Sequence, residues 1–148
     1  MKRKIAVSSC LLGNNCKYNG NNNLSIELLD KIKDYKIVPF CPEDYAFGTP
    51  RETMDLVLID NEIEAISTEN YNNLSQPIKD YAKDFFDNNR DIKLFVGKDK
   101  SPSCGVSSTK LYDIDKNLIS TNNSGLMAKE AIKRDLKAYD ATKFIEKF

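Results

Sequence analysis

Histidine is absent from this chain of 148 residues, and its absence narrows the possible chemistry more than any other count. Without histidine the protein has neither a Ser-His-Asp triad nor a Cys-His pair for nucleophilic catalysis. It also has no imidazole ligand for zinc, copper or non-haem iron. Any reaction must therefore use thiolates, carboxylates, hydroxyls, lysine, arginine or a bound cofactor.

The chain also lacks an excess of charge of either sign, because 22 lysines and arginines balance 22 aspartates and glutamates. This balance argues against a nucleic-acid protein whose affinity depends on a broad basic surface. Long apolar runs are missing as well. The apolar run at residues 5–7 is too short for a signal peptide, and no segment reaches the length of a membrane span. We therefore expect a cytoplasmic protein.

Cysteine is scarce, and no two of the four cysteines form a Cys-x-x-Cys pair. A thioredoxin-type redox motif and a zinc knuckle are therefore excluded. Structural disulfides are not expected in a reducing cytosol. Cys10, Cys16, Cys41 and Cys104 are thus either small buried core residues or ligands of a soft metal.

Three short apolar segments each lead into one of these cysteines. The pairs of predicted strand and following cysteine are residues 5–7 with Cys10, residues 36–40 with Cys41, and residues 91–96 with Cys104. A helix predicted over residues 24–33, with Ser25 as its N-cap, joins the first two strands into a parallel βαβ unit. Ligands of such sheets bind beyond the carboxyl ends of the strands, so we expect the three thiols to face one crevice.

The remaining segments complete one α/β domain that spans residues 1–148. Its predicted fold is a mostly parallel sheet flanked by helices, with a small β-hairpin appendage at residues 56–66. An apolar stripe between Ser75 and Asn89 predicts a helix that packs on the core. The other predicted elements are helices at 126–136 and 142–148, a strand at 136–139 and a polar loop at 121–125.

Three converging thiolates without histidine suit a soft metal centre. A [4Fe-4S] cluster held by Cys10, Cys41 and Cys104 would leave one iron open for a substrate. Four thiolates, with Cys16 included, would instead close the site as a structural zinc or an electron-transfer cluster. The cysteine spacing alone does not decide between these two sites.

Four polar residues near the cysteines have two interpretations each. Glu43 is either a solvated loop carboxylate or a general base that activates water. Ser101 either shapes the turn before Pro102, or orients substrate and passes a proton. Arg51 and Lys100 are either surface charges or anchors for an anionic group of the substrate.

The cysteines also stand in an ordered series of motifs. The motifs are Cys10-Leu11-Leu12-Gly13-x-x-Cys16-Lys17-Tyr18-Asn19-Gly20, Cys41-Pro42-Glu43, Thr49-Pro50-Arg51 and Lys100-Ser101-Pro102-Ser103-Cys104-Gly105, followed by Tyr112-Asp113. This series resembles the bacterial family of thiouracil desulfidases. The resemblance implies a Rossmann-like α/β fold around a [4Fe-4S] cluster bound by Cys10, Cys41 and Cys104. It makes Glu43 and Ser101 the catalytic pair and leaves Cys16 as a non-ligand near the site.

The activity implied by this resemblance is the non-redox desulfuration of a thiolated pyrimidine such as 2-thiouracil, giving the oxo compound and sulfide. The open iron would polarise the C=S bond as a Lewis acid, Glu43 would activate water, and Ser101 would assist proton transfer. Two alternatives stay open. They are a non-enzymatic Fe-S or zinc protein with four cysteine ligands, and an Fe-S sulfur-transfer enzyme that acts on another thiolated compound. The expected partner is a small thiolated nucleobase, with no membrane.

Overall fold

The computed structural model of the protein describes residues 2–148. Its strands are β1 (Lys4–Ser8), β2 (Lys36–Phe40), β3 (Met54–Ile59), β4 (Glu62–Ser67), β5 (Leu94–Gly97), β6 (Thr109–Tyr112), β7 (Leu118–Asn123) and β8 (Lys137–Asp140). Its helices are α1 (Ile26–Lys31), α2 (Pro42–Phe47), α3 (Ser75–Asp87), α4 (Leu126–Lys133) and α5 (Ala141–Lys147), with a 3-10 helix at Ser9–Leu12. Within residues 2–148, no helix has the length and apolar character that a membrane crossing requires.

The main sheet has the strand order β2-β1-β5-β8, and each neighbouring pair of strands is parallel. The chain passes from β1 through α1 to β2 on one side, whereas β5 pairs with the other side of β1. The direction of strand addition therefore reverses at β1, and such a reversal opens a crevice beyond the carboxyl ends of the strands. The predicted α/β class, with a parallel sheet flanked by helices, is confirmed.

Helices cover both faces of this sheet because its central strands are apolar on both faces. Successive side chains of a strand point to opposite sides. Ile5 and Val7 of β1 pack in a core with Leu28 of α1 and Phe144 of α5. Ala6 lies in a second core on the opposite face, together with Phe40, Ala82, Phe86, Phe95, Met127, Ala128 and Ala131. Ser25 is the N-cap of α1, as predicted, and its Oγ accepts a hydrogen bond from the Leu28 N–H (3.2 Å).

The predicted hairpin at residues 56–66 is formed by β3 and β4 and lies outside the main sheet. It is extended into a second sheet of order β4-β3-β6-β7, in which β3 pairs in parallel with β6. A third core, with Leu56, Ala65 and Leu111 from these strands, packs this sheet against α3 and α4. The interpretation of residues 121–125 as a loop is wrong for 121–123, which belong to β7. This edge strand is largely exposed, so it shows no apolar alternation.

Candidate metal centre

The three strand-end cysteines lie at the same edge of the main sheet, as their positions in the sequence predict. Cys10 is in the 3-10 helix after β1, Cys41 is the N-cap of α2 after β2, and Cys104 is in the loop after β5. The Cys41 N–H donates to Tyr81 Oη (3.2 Å), so α3 also anchors this end of β2. All three cysteines line one cavity of about 230 Å³.

Cys16 lines the same cavity although it lies six residues beyond Cys10 in the loop. It is buried, and its carbonyl oxygen accepts a hydrogen bond from Cys41 Sγ (3.8 Å). Sequence reasoning did not predict the direction of this side chain, because the loop between Gly13 and Gly20 contains no regular element that sets it. The structure therefore brings all four thiols together.

The thiols are held in a poorly solvated environment. The pKa of the Cys16 thiol is raised to about 12, mainly by burial and to a smaller extent by the nearby Cys41. Burial also raises the pKa of Cys41, and burial together with the Glu43 carboxylate raises the pKa of Cys104. These three thiols are therefore protonated at neutral pH in the metal-free chain, and a metal group that binds them must displace their protons.

The donor set around the cavity fits an iron-sulfur cluster. Cysteine thiolates are the usual ligands of such clusters, and three strand ends supply one thiol each. Within residues 2–148, no three cysteine, aspartate or glutamate side chains lie close enough together to hold a single metal ion. The cysteine sulfurs are instead distributed around the cavity.

Glu43 lies in the first turn of α2, and its side chain lies between one hydroxyl donor and one guanidinium group. Oε2 accepts a hydrogen bond from the Ser103 hydroxyl (2.5 Å), and Oε1 is 3.6 Å from Nε of Arg51. The Glu43 side chain is 15% exposed and lines the cavity, so it is not a freely solvated loop carboxylate. It is placed where a proton acceptor could meet a water molecule in the cavity.

Ser101 organises the turn that presents Cys104. Its Oγ accepts hydrogen bonds from the backbone N–H groups of Cys104 (3.0 Å) and Ser103 (3.3 Å). The Ser101 and Ser103 hydroxyl oxygens are 3.3 Å apart, and Ser103 in turn donates to Glu43. The two serines thus form a chain of hydroxyls that ends on the Glu43 carboxylate.

Ser103 is a site residue that sequence reasoning missed. It is buried, and its hydroxyl, rather than that of Ser101, contacts Glu43 directly. Its Oγ is also 3.6 Å from Sγ of Cys104. In the sequence, only its position immediately before the predicted ligand Cys104 pointed to this role. Its contact with Glu43 could not be predicted, because the two residues are 60 positions apart.

Arg51 and Lys100, which the sequence left as either surface charges or substrate anchors, lie in different environments. The Arg51 side chain is only 6% exposed and lies beside Glu43, so it is not a surface charge. Lys100 is exposed and lines the cavity together with Lys17 and Lys98. Three lysines and one buried arginine side chain therefore contribute to the lining of the cavity.

Asp140, at the end of β8, holds the loop that carries Cys104. Its carboxylate accepts hydrogen bonds from the N–H groups of Val106 (2.8 Å) and Ser107 (3.0 Å) and from the Ser108 hydroxyl (2.8 Å). Asp140 is buried, so these bonds replace its hydration. An aspartate at the end of a predicted strand was the only sign of this role in the sequence.

Gly97 at the end of β5 lets the backbone of the Cys104 loop lie directly against the strand. A Cβ at this position would overlap the Cys104 carbonyl oxygen. We expect Gly97→Ala to displace Cys104, to lower the free energy of unfolding by about 1–3 kcal/mol and to lower Tm by roughly 3–10 °C. Thermal unfolding and iron content measure the two effects.

Gly20→Ala is the control for Gly97→Ala. A Cβ at Gly20 meets no atom within 4 Å, but its φ of +82° is unfavourable for alanine. We expect this variant to lose only about 1 kcal/mol of stability from backbone strain and to keep its iron. Equal iron loss in both variants would contradict the close packing of Gly97 against Cys104.

Comparisons with known proteins identify the family of this chain and support its fold. A family model described as 2-thiouracil desulfurase matches residues 5–142. The uncharacterized protein YbbK of Bacillus subtilis (strain 168) is 30% identical over an alignment of 114 residues, and this alignment covers 68% of this chain and 72% of YbbK. The solved structure of the [4Fe-4S]-dependent thiouracil desulfidase TudS is similar in fold, with a TM-score of 0.77 at 23% identity over 98% of this chain and 95% of that chain. The chain therefore belongs to the 2-thiouracil desulfurase family.

Proposed function

We propose that this protein is an iron-sulfur-dependent desulfidase that hydrolyses a thiolated pyrimidine such as 2-thiouracil to its oxo form. The net reaction replaces the C=S bond with C=O, consumes one water molecule and releases hydrogen sulfide. The observation that carries this proposal is the single cavity in which three strand-end cysteines surround a space beside Glu43. Membership in the 2-thiouracil desulfurase family supports the choice of substrate class.

The cofactor in this proposal is a [4Fe-4S] cluster, with Cys10, Cys41 and Cys104 as its ligands. Each of these thiols is supplied by a separate strand end, and TudS, which is similar in fold, is [4Fe-4S]-dependent. When bound, such a cluster supplies a Lewis-acidic iron that polarises a thiocarbonyl group. We assign residues 1–148 to one α/β domain around the cluster. We also propose that the protein acts in the cytoplasm, where its four free cysteines stay reduced.

Glu43 is the proton acceptor in this proposal. Its carboxylate takes a proton from the attacking water, because it lines the cavity and is held in place by Ser103 and Arg51. The water oxygen forms the new bond to the ring carbon, and the proton later leaves with the sulfide. Ser101 and Ser103 assist by passing or holding a proton along their hydroxyls.

One observation favours a second candidate. Cys16 is buried in the same cavity and contacts Cys41, so four thiols are available for a closed site. Four thiolate ligands would leave no open iron and would give a non-enzymatic Fe-S or zinc protein. The difference between the two candidates is whether Cys16 is needed for metal binding.

The experiment that tests the proposed function uses protein purified and reconstituted without oxygen. We expect about four irons and four acid-labile sulfides per chain, and stoichiometric sulfide and uracil from 2-thiouracil. Performing the reaction in H₂¹⁸O should place the heavy oxygen in uracil. The metal-free protein is the control and should release no sulfide. Stoichiometric zinc without labile sulfide would overturn the proposal. A full cluster without turnover of free thiouracil would instead support another thiolated substrate.

A further inference from the structure

Arg51 connects two walls of the cavity that are far apart in the sequence. Its backbone N–H donates to the Tyr18 carbonyl (2.9 Å), and its Nη2 donates to the Cys16 carbonyl (2.8 Å). Its Nη1 donates to Thr49 Oγ1 (2.8 Å) on its own turn. The first loop, which carries Cys16, is thus fastened to the segment that follows α2.

The same guanidinium faces Glu43. The Nε atom of Arg51 is buried, has no hydrogen-bond partner among residues 2–148, and is 3.6 Å from Oε1 of Glu43. A direct charge-assisted hydrogen bond would need a separation of about 2.7–2.9 Å. A modest movement of the Glu43 side chain would therefore complete a bond that the buried donor lacks. Ser103 limits that movement from the opposite side, where it donates to Oε2.

We propose that Arg51 is a positioning residue, a clamp that holds the Glu43 carboxylate in the cavity and fixes the Cys16 loop against it. The guanidinium serves here because its N–H groups point in three directions in one rigid plane, toward Glu43, Cys16 and Thr49. A lysine has one ammonium group at the end of a flexible chain and cannot fill all three positions. The role in catalysis depends on the proposed function of Glu43, whereas the connection to the loop does not.

The connection to the loop can be tested without a cluster. Cys16 is 7% exposed, so alkylation by iodoacetamide requires the first loop to open. Arg51→Gln removes the charge and the rigid donor set, and we expect Cys16 in the metal-free protein to react about tenfold faster or more. Peptide mass spectrometry measures the rate at Cys16, and circular dichroism checks the fold. Arg51→Lys, a smaller change, should give an intermediate rate and serves if the glutamine variant does not fold.

Arg134 offers a matched control at the opposite edge of the main sheet. Its side chain is 23% exposed and contacts two carboxylates, Asp87 (2.9 Å) and Glu130 (2.7 Å). Arg134→Gln removes a comparable ion-pair network and should leave the Cys16 alkylation rate unchanged. An unchanged rate at Cys16 in folded Arg51→Gln, or an equal increase in the Arg134 variant, would overturn the proposed clamp.

The connection to Glu43 is tested in the reconstituted enzyme with 2-thiouracil. We expect Arg51→Lys to keep its iron and to lower kcat about tenfold or more, with KM changed less than about threefold, because a misplaced base weakens the chemical step. A raised KM with unchanged kcat would overturn the proposal and make Arg51 a substrate-binding residue. If the wild-type protein releases no sulfide while Arg51→Gln still exposes Cys16, the proposed function fails and the clamp on the loop stands.

Discussion

Replacing Cys10, Cys41 or Cys104 with serine should remove most of the iron from the reconstituted protein, about tenfold or more in each case. A serine hydroxyl does not ionise to a soft anion at neutral pH, so it cannot replace a thiolate ligand. Each of these cysteines is the first thiol after its own strand. Iron, acid-labile sulfide and the visible absorption spectrum after anaerobic reconstitution measure the loss.

Cys16→Ser is the matched control, since it makes the same chemical change in the same cavity. We expect this variant to keep its iron and sulfide, because Cys16 does not directly follow a strand and the Cys41 thiol donates to its backbone carbonyl, which serine retains. Iron loss equal to that of the other three variants would show four thiolate ligands. It would contradict the open iron and support the non-enzymatic candidate.

Glu43→Gln should keep the cluster and lower kcat by about 10²–10⁴-fold. Glutamine has almost the same shape and can still accept the hydrogen bond from Ser103, but it cannot take a proton from water. The variant therefore separates the charge of residue 43 from its packing. Steady-state release of sulfide from 2-thiouracil, normalised to iron content, is the measurement.

Glu52→Gln provides the control for this second prediction. Glu52 lies close to Glu43 in the sequence, but its carboxylate accepts a hydrogen bond from Asn70 (3.2 Å) and does not line the cavity. Its replacement should leave kcat and iron content unchanged. Loss of the cluster in Glu43→Gln would make Glu43 a structural residue, and full activity would remove it from the mechanism.

The strand β7 could not be predicted from local sequence patterns, because it is polar. The central strands β1 and β5 are mostly apolar and buried, and such segments predict strands because helices cover both faces of the sheet and exclude water from its central side chains. β7 contains Thr121, Asn122 and Asn123 and forms an exposed edge. Its backbone pairing with β6 stabilises it, and that pairing leaves no apolar pattern in the sequence.

The α/β order of elements and the positions of Cys10, Cys41 and Cys104 at strand ends could be predicted from the sequence, because short apolar runs and helix caps are local signals. Three contacts could not be predicted in this way: Ser103 with Glu43, Arg51 with Glu43, and Arg51 with the carbonyl of Cys16, which lines the cavity. These contacts join residues 60, 8 and 35 positions apart. They depend on how separate loops pack together beyond the carboxyl ends of the strands, where the strand order reverses at β1. Local sequence preferences do not determine that packing.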